Sequence, residues 1–147
     1  MPLSPPPRDA TGEVIPHDHS GIAPAAVVIR RISEKQIVID KFGHQRISSM
    51  AFTNSSDIEG ISIDFEALIL EAKLDPKKHV TTPRWIGSVA LAAQDLRDED
   101  FRVGYDPLPD NAFHGQAWGK SDKKKAKRLQ IKIRWYVPIP GVRTAPA

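Results

Sequence analysis

The chain contains no cysteine. Its absence removes disulfides, cysteine-held zinc, iron–sulfur clusters and a thiol nucleophile from consideration. It suits a reducing compartment, and a cytoplasmic location is the expectation. Long apolar runs are missing too: no stretch approaches the roughly 18 residues that a bilayer span needs, so no membrane partner is expected. The opening MPLSPPPRDATGEVIPHDHSG has no charged start followed by an apolar run, so a secretory signal is not expected. Neither sign of charge dominates. Twenty-one Lys and Arg against 18 Asp and Glu leave a formal net charge of +3, which gives only a weak overall field. The motifs GxGxxG, GxxxxGK[ST], HExxH and GxSxG are all absent. Gly119-Lys120-Ser121 has the tail of a phosphate loop, but the first glycine it requires would stand at His114. No internal repeat is visible, and no cofactor is expected.

What remains is an ordinary globular composition. The chain has 147 residues, 40% hydrophobic and 27% charged, enough for one domain with a sizeable core. Residues 1–25 are rich in Pro, Ser, Gly and Asp and read as a flexible arm, ordered only where something holds it. The folded body is expected over 26–137, with 138–147 as a C-terminal tail.

Within the body, 26–32 is β-branched and apolar and predicts a strand. Ser33 is placed to cap a short helical turn, and 37–39 is a brief apolar run before a turn at 41–43. Residues 46–52 read as a strand or the approach to one, and 53–60 as a polar loop. A short strand is expected at 61–63. Phe65, Leu68, Ile69 and Ala72 recur at helical spacing, with Asp64 as cap and Asp75-Pro76 as the stop. Val89, Ala92, Ala93 and Leu96 form a second helical stripe, which predicts a helix over 88–97. Residues 101–105 and 112–118 read as an antiparallel pair around the loop 106–111. A final helix runs from Ser121 to about Ile131, with Ala126, Leu129 and Ile133 turned towards the core, and 135–137 closes the domain. The fold class is therefore α+β: one domain, a mostly antiparallel sheet and about three helices.

Several segments together carry a resemblance. They are Arg30-Arg31-Ile32, Arg46-Ile47-Ser48-Ser49 with Ala51-Phe52, Ser62-Ile63, and Asp106-Pro107-Leu108-Pro109-Asp110-Asn111 followed by His114 and Gly119. In these the chain resembles a family of small uncharacterised bacterial proteins with no established activity, over about residues 29–137. The resemblance implies a bacterial, cytoplasmic, single-domain protein and supplies no catalytic residues.

Four groups of residues bear on function. His17-Asp18-His19 has the spacing of two metal ligands on one face of a strand, but lacks further ligands. A polar turn is the plainer reading, and no metal is assigned. In the stiffened loop, Asp106, Asp110 and Asn111 stand near His114, which is the candidate general base. Arg31, Arg46, Ser48 and Ser49 form a candidate phosphate-binding set. Arg30 and Arg31 point to opposite faces of a strand, so one of them turns inward and needs an anion or a carboxylate. An early arginine followed by serines is distantly similar to ADP-ribosyltransferase-like folds. The late glutamate of those folds has no counterpart here, since Glu66 and Glu71 fall too early. The alternative is an ion pair of the Arg31–Asp64 kind, with the two serines ending a strand. Last, Lys123, Lys124, Lys125, Lys127 and Arg128 make a basic surface within 120–134. Trp118, Trp135 and Tyr136 are candidates to stack on bases. Some of these cations are also expected to lean on the acidic run 95–100. The leading expectation is a binding module that presents the loop and the basic helix to a protein or nucleic-acid partner. The alternative is a small enzyme acting on a nucleotide or NAD-like substrate, whose Arg31, Ser48 and His114 would have to converge.

Overall fold

A computed structural model describes residues 3–54 and 60–146. The expected loop at 53–60 lies mostly outside these residues. In chain order the elements are β1 (Val27–Ile32), β2 (Ile37–Ile39), β3 (Gln45–Ile47), β4 (Gly60–Phe65), α1 (Glu66–Glu71), α2 (Pro76–His79), β5 (Gly87–Ala92), α3 (Ala93–Arg97), β6 (Arg102–Tyr105), β7 (His114–Trp118), α4 (Lys123–Lys132), β8 (Arg134–Val137) and β9 (Val142–Arg143). The fold is α+β, with four α-helices among the described residues.

Six strands form one sheet in the order β6-β7-β4-β1-β5-β8, every neighbouring pair antiparallel. Strands β2, β3 and β9 form a second, small sheet in which β9 pairs parallel to β3. The turn joining β2 to β3 is closed by Asp40, whose carboxylate accepts the amides of Phe42 and His44, and by Gly43 at φ +79°.

The main core lies between one face of the large sheet and the layer of α3, α4 and the 3₁₀ turn Ser49–Phe52. It is built on Val28, Ile32, Ile63, Phe65, Val89 and Leu91 from the strands, with Phe52, Leu96 and Leu129 from the layer above. A smaller cluster of Ile29, Ile69 and Val80 fills part of the opposite face. Alternation along β1 sends Val28, Arg30 and Ile32 to the first face and Ile29 and Arg31 to the second.

Three expectations are corrected. Residues 88–97 are not one helix. Gly87–Ala92 is a strand paired along its whole length with β1, from Val27↔Ala92 to Ile32↔Gly87, and only 93–97 is helical. A strand with neighbours on both edges and cover on both faces is apolar throughout, so it shows no alternation and mimics a helical stripe. Asp64 does not cap α1: Phe65 holds that position, and Asp64 faces Arg31. Asp75-Pro76 does not end α1, which stops at Glu71 before Lys73 at φ +63°; it begins α2. Asp75 accepts the amide of Lys77, and Pro76 stands where its missing N–H costs nothing.

Of the segment expected as an arm, ordered only where something holds it, residues 17–19 lie along β6. His19 donates its backbone N–H to the Val103 carbonyl (2.8 Å), while Asp18 accepts from Val103 N–H and from Arg97 Nε, both at 2.9 Å. Tyr105 N–H donates to His17 Nε2 (3.2 Å), and His17 Nδ1 donates to the Ile15 carbonyl. His19 Nε2 donates to the Ser4 carbonyl, and its Nδ1 accepts from Gly21 N–H. Every ring nitrogen of His17 and His19 is thus engaged in fastening the arm. The C-terminal tail also joins the domain, since it supplies β9 and buries Ile139 and Val142. No helix among the described residues is long and apolar enough to cross a membrane.

Candidate functional site

Two depressions bring the singled-out residues together, and they divide them differently from expectation. The first is a polar cleft of about 390 Å³ on the second face of the large sheet, lined by Arg31, Ser62, Asp64, His79, Asn111 and His114 among others. The second is a groove of about 840 Å³ beside α4 and the small sheet, lined by Arg46, Ser48, Ser49, Met50, Lys123 and Lys127 among others.

The cleft is organised by antiparallel register. Asp64 of β4 stands directly opposite both Ile29 of β1 and His114 of β7, which places the carboxylate and the imidazole side by side on one face. Arg31 reaches Asp64 side-on, Nε to Oδ2 at 2.9 Å and Nη2 to Oδ1 at 3.2 Å. The Asp64 side chain is 4% exposed and that of Arg31 21%. A carboxylate so enclosed needs its oxygens satisfied, and Asn111 Nδ2 supplies a further donor to Oδ1 at 2.7 Å. That bond fixes the Asn111 amide, whose Oδ1 then accepts from Phe113 N–H (3.2 Å) and from His79 Nε2 (3.1 Å). His79 therefore carries its proton on Nε2 and leaves Nδ1 without a bond to the described residues. Its ring stands edge-on to Phe113, centroids 5.0 Å apart.

His114 is buried. Its Nδ1 donates to the carbonyl oxygen of Asp106 at 2.8 Å, with the Asp106 carboxylate at 3.3 Å. Nε2 makes no hydrogen bond to the described residues, so an oriented ring presents a basic nitrogen. The Pro-stiffened loop is folded back by Leu108 and Asn111, which bond each other through backbone N–H and C=O in both directions. Asp110 lines the cleft from its rim, where it is exposed.

Arg30 points to the other face. Its guanidinium donates to the Ala51 carbonyl through Nε and Nη2 and to the Ser62 carbonyl through Nη1. Burial lowers its pKa to about 10, so it remains charged at neutral pH.

The candidate phosphate-binding set is divided. Arg31 lies in the cleft and Arg46, Ser48 and Ser49 in the groove, and Ser48 caps its own 3₁₀ turn by accepting Met50 N–H. Arg31 and His114 share a depression; Ser48 is not part of it. Arg31 pairs with Asp64, the alternative weighed for it. The loop and the basic helix part company as well, because no residue of α4 lines the cleft and no residue of 106–111 lines the groove.

On the basic helix, Asp122 rather than Ser121 supplies the capping side chain, accepting Lys125 N–H at 2.8 Å. Ser121 instead donates its hydroxyl to the Phe52 carbonyl (2.6 Å). Ala126 and Leu129 are fully buried and hold α4 on the core. Gln130 Nε2 donates to the carbonyls of Ile47 and Thr144, tying α4 to β3 and to the C-terminal segment. Arg128 pairs with Glu99 (2.7 Å), and the Lys125 ammonium lies over the Phe101 ring at 4.3 Å. Lys123, Lys124 and Lys127 remain exposed. None of the aromatics expected to stack on bases shares the groove. Trp118 is buried against His17, Trp135 packs on the main core, and Tyr136 donates its hydroxyl to Glu66.

The groove itself was not foreseen. Four large apolar side chains among the described residues are at least 70% exposed, and three of them, Ile39, Met50 and Ile131, line it. Its described charged lining is Arg46, Lys123 and Lys127, with no carboxylate. In the cleft, Ser62 and His79 were also missed. The Asp75-Pro76 dipeptide, as a helix start, was the one signal that set His79 one turn beyond it.

Compared with models of known protein families, with curated proteins and with solved structures, the chain matches none.

Proposed function

We propose that the protein is an interaction module whose groove receives an acidic, apolar-studded segment of a protein partner. The supporting observation is the convergence of Ile39, Met50 and Ile131 on one depression with a wholly cationic charged lining. These side chains come from an edge strand, a 3₁₀ turn and the end of a helix, so no single element's packing accounts for their shared exposure. Contiguous exposed apolar surface framed by polar residues is a mark of interaction sites. Three cations without a carboxylate favour an acidic occupant. Gln130 and the buried stripe of α4 hold the walls in place, so the occupant meets a formed surface.

A protein partner is favoured over nucleic acid because the aromatic stacking partners lie elsewhere and the groove is largely apolar. The nucleotide or NAD-like enzyme reading in its phosphate-pocket form is set aside, since Arg31 and Ser48 line different depressions. Membership of the small bacterial family, and with it a cytoplasmic location, remain part of the proposal. They rest on the resembling segments and the absence of cysteine.

Fluorescence anisotropy with three labelled probes tests the reading: an acidic amphipathic peptide, the same peptide with Lys in place of Glu, and a single-stranded oligonucleotide. The acidic peptide should bind best, and Lys123→Glu with Lys127→Glu should weaken it by at least about tenfold. Equal binding of both peptides, or preference for the oligonucleotide, would reject the assignment.

A further inference from the structure

The polar cleft is independent of the groove and has its own unused bonding capacity. Arg31 engages Asp64 through Nε and Nη2, so the two N–H groups on Nη1 make no bond to any described residue. Ser62, two residues before Asp64 on β4 and so on the same face, also lines the cleft and is exposed. His114 presents Nε2, and His79 presents Nδ1, both without bonds to the described residues. Trp85 and Leu108 supply apolar walls. The groups that hold these side chains are already satisfied: Asp64 by Arg31 and Asn111, Asn111 by His79 and Phe113, and His114 by Asp106. The array is thus fixed without a ligand, and preorganised donors bind without a further ordering cost.

We infer that the cleft is a binding site for a small oxyanion, a carboxylate or a phosphate monoester, whose acid group is held by Arg31 Nη1 and the Ser62 hydroxyl while the two imidazoles face the remainder of the molecule. A guanidinium with one edge anchored to a buried carboxylate keeps its other edge aimed, the geometry that planar oxyanions match best. A cleft of about 390 Å³ is at the lower end of ligand-site volumes, which fits a metabolite-sized anion.

Inorganic phosphate and malonate are titrated separately into isotope-labelled protein and followed through the His79 and His114 ring signals and the Arg31 guanidinium. Saturable shifts with a dissociation constant of about a millimolar or tighter are expected. The tighter of the two anions identifies the class. Ser62→Asp puts a negative charge at an exposed position in the same cleft as Arg31 and should weaken binding at least about tenfold with the fold intact. Arg31→Lys retains the charge but loses the second donor edge, and should weaken it similarly. Lys127→Glu, in the groove, should leave anion binding unchanged, which separates failure here from failure of the groove reading. Shifts that do not saturate for either anion, or that survive Ser62→Asp unaltered, would overturn the inference.

Discussion

The cleft and the groove solve opposite problems. In the cleft, polar groups from β1, β4, β7, α2 and the loop after β6 are enclosed, and they bond chiefly to one another. In the groove, apolar groups from β2, the 3₁₀ turn and α4 are left in solvent, ringed by cations. A buried polar network is retained only if its members satisfy each other, so the mutually bonded cleft residues Arg31, Asp64, His79 and Asn111 are also structural residues. An exposed isoleucine or methionine adds little to the fold, so the groove residues are free to serve recognition. A substitution among the bonded cleft residues should therefore be felt as lost stability, and one among the groove residues as lost binding alone.

The sharpest test of that division is Asp64→Ala. It strands the Arg31 guanidinium and the Asn111 amide in a largely enclosed site. Breaking one partner of a buried pair costs about 3–5 kcal/mol, and Arg31's partial exposure places the expected loss near the lower end. Urea unfolding measures it directly. A loss below about 1 kcal/mol, the range of surface ion pairs, would mean that the cleft does not help to hold the loop to the sheet.

Next in size is Gly115→Ala, beside His114. A Cβ there would overlap the Phe65 ring and stand 2.8 Å from the Gly104 carbonyl oxygen. The ring is packed in the main core and the carbonyl belongs to the paired strand β6, so neither can yield freely. Overpacking of this kind costs about 1–3 kcal/mol. The thermal midpoint should fall, and the His114 ring signals should move with it. An unchanged midpoint would show that the cleft floor is softer than its packing implies.

The groove should behave in the contrary way. Ile131→Gln with Met50→Gln is expected to alter stability by less than about 0.5 kcal/mol each, as surface changes do. Binding of the acidic peptide should nevertheless fall by at least about tenfold, because both side chains would anchor it. A large stability loss with binding preserved would reverse the roles assigned to the two regions.

These two regions also differ in how far the sequence disclosed them. The strands with one polar face, such as β6 and β7, and the amphipathic α4 with Ala126 and Leu129 inward, are legible because their periodicity survives in one dimension. Strand β5 is not, since burial on both faces erases alternation and leaves small apolar residues that fit a helical period by accident. The cleft is half legible. Asp106, Asn111 and His114 stand close together in the chain, and Arg31–Asp64 follows from asking what an inward arginine requires. His79 enters through a fold-level crossing, 32 residues from its partner Asn111, that no local pattern encodes. The groove is illegible for the same reason: Ile39, Met50 and Ile131 each look like an unremarkable member of its own segment, and only the docking of α4 on β3 through Gln130 makes them neighbours.

The smallest effect concerns the wall that α4 gives the groove. Asp122 accepts the Lys125 amide, and this bond, with nearby cations, holds its carboxyl below the ordinary carboxylate value of 3.8. A carboxyl with a lowered folded value contributes stability that is complete above its unfolded value and is lost as pH falls through the folded one. The cap is therefore at full strength at neutral pH, and the first turn of α4 should loosen only in acid, as pH falls below the ordinary carboxylate range. Asp122→Ala removes that contribution and its acid sensitivity together. Amide exchange at Lys125 and Ala126 should then be faster at neutral pH and no longer accelerate specifically on acidification, while exchange in the cleft strands β4 and β7 stays the same. If the variant instead disturbed the cleft, α4 and the polar face would be coupled through the core, and the two sites would not be the separate devices that their linings describe.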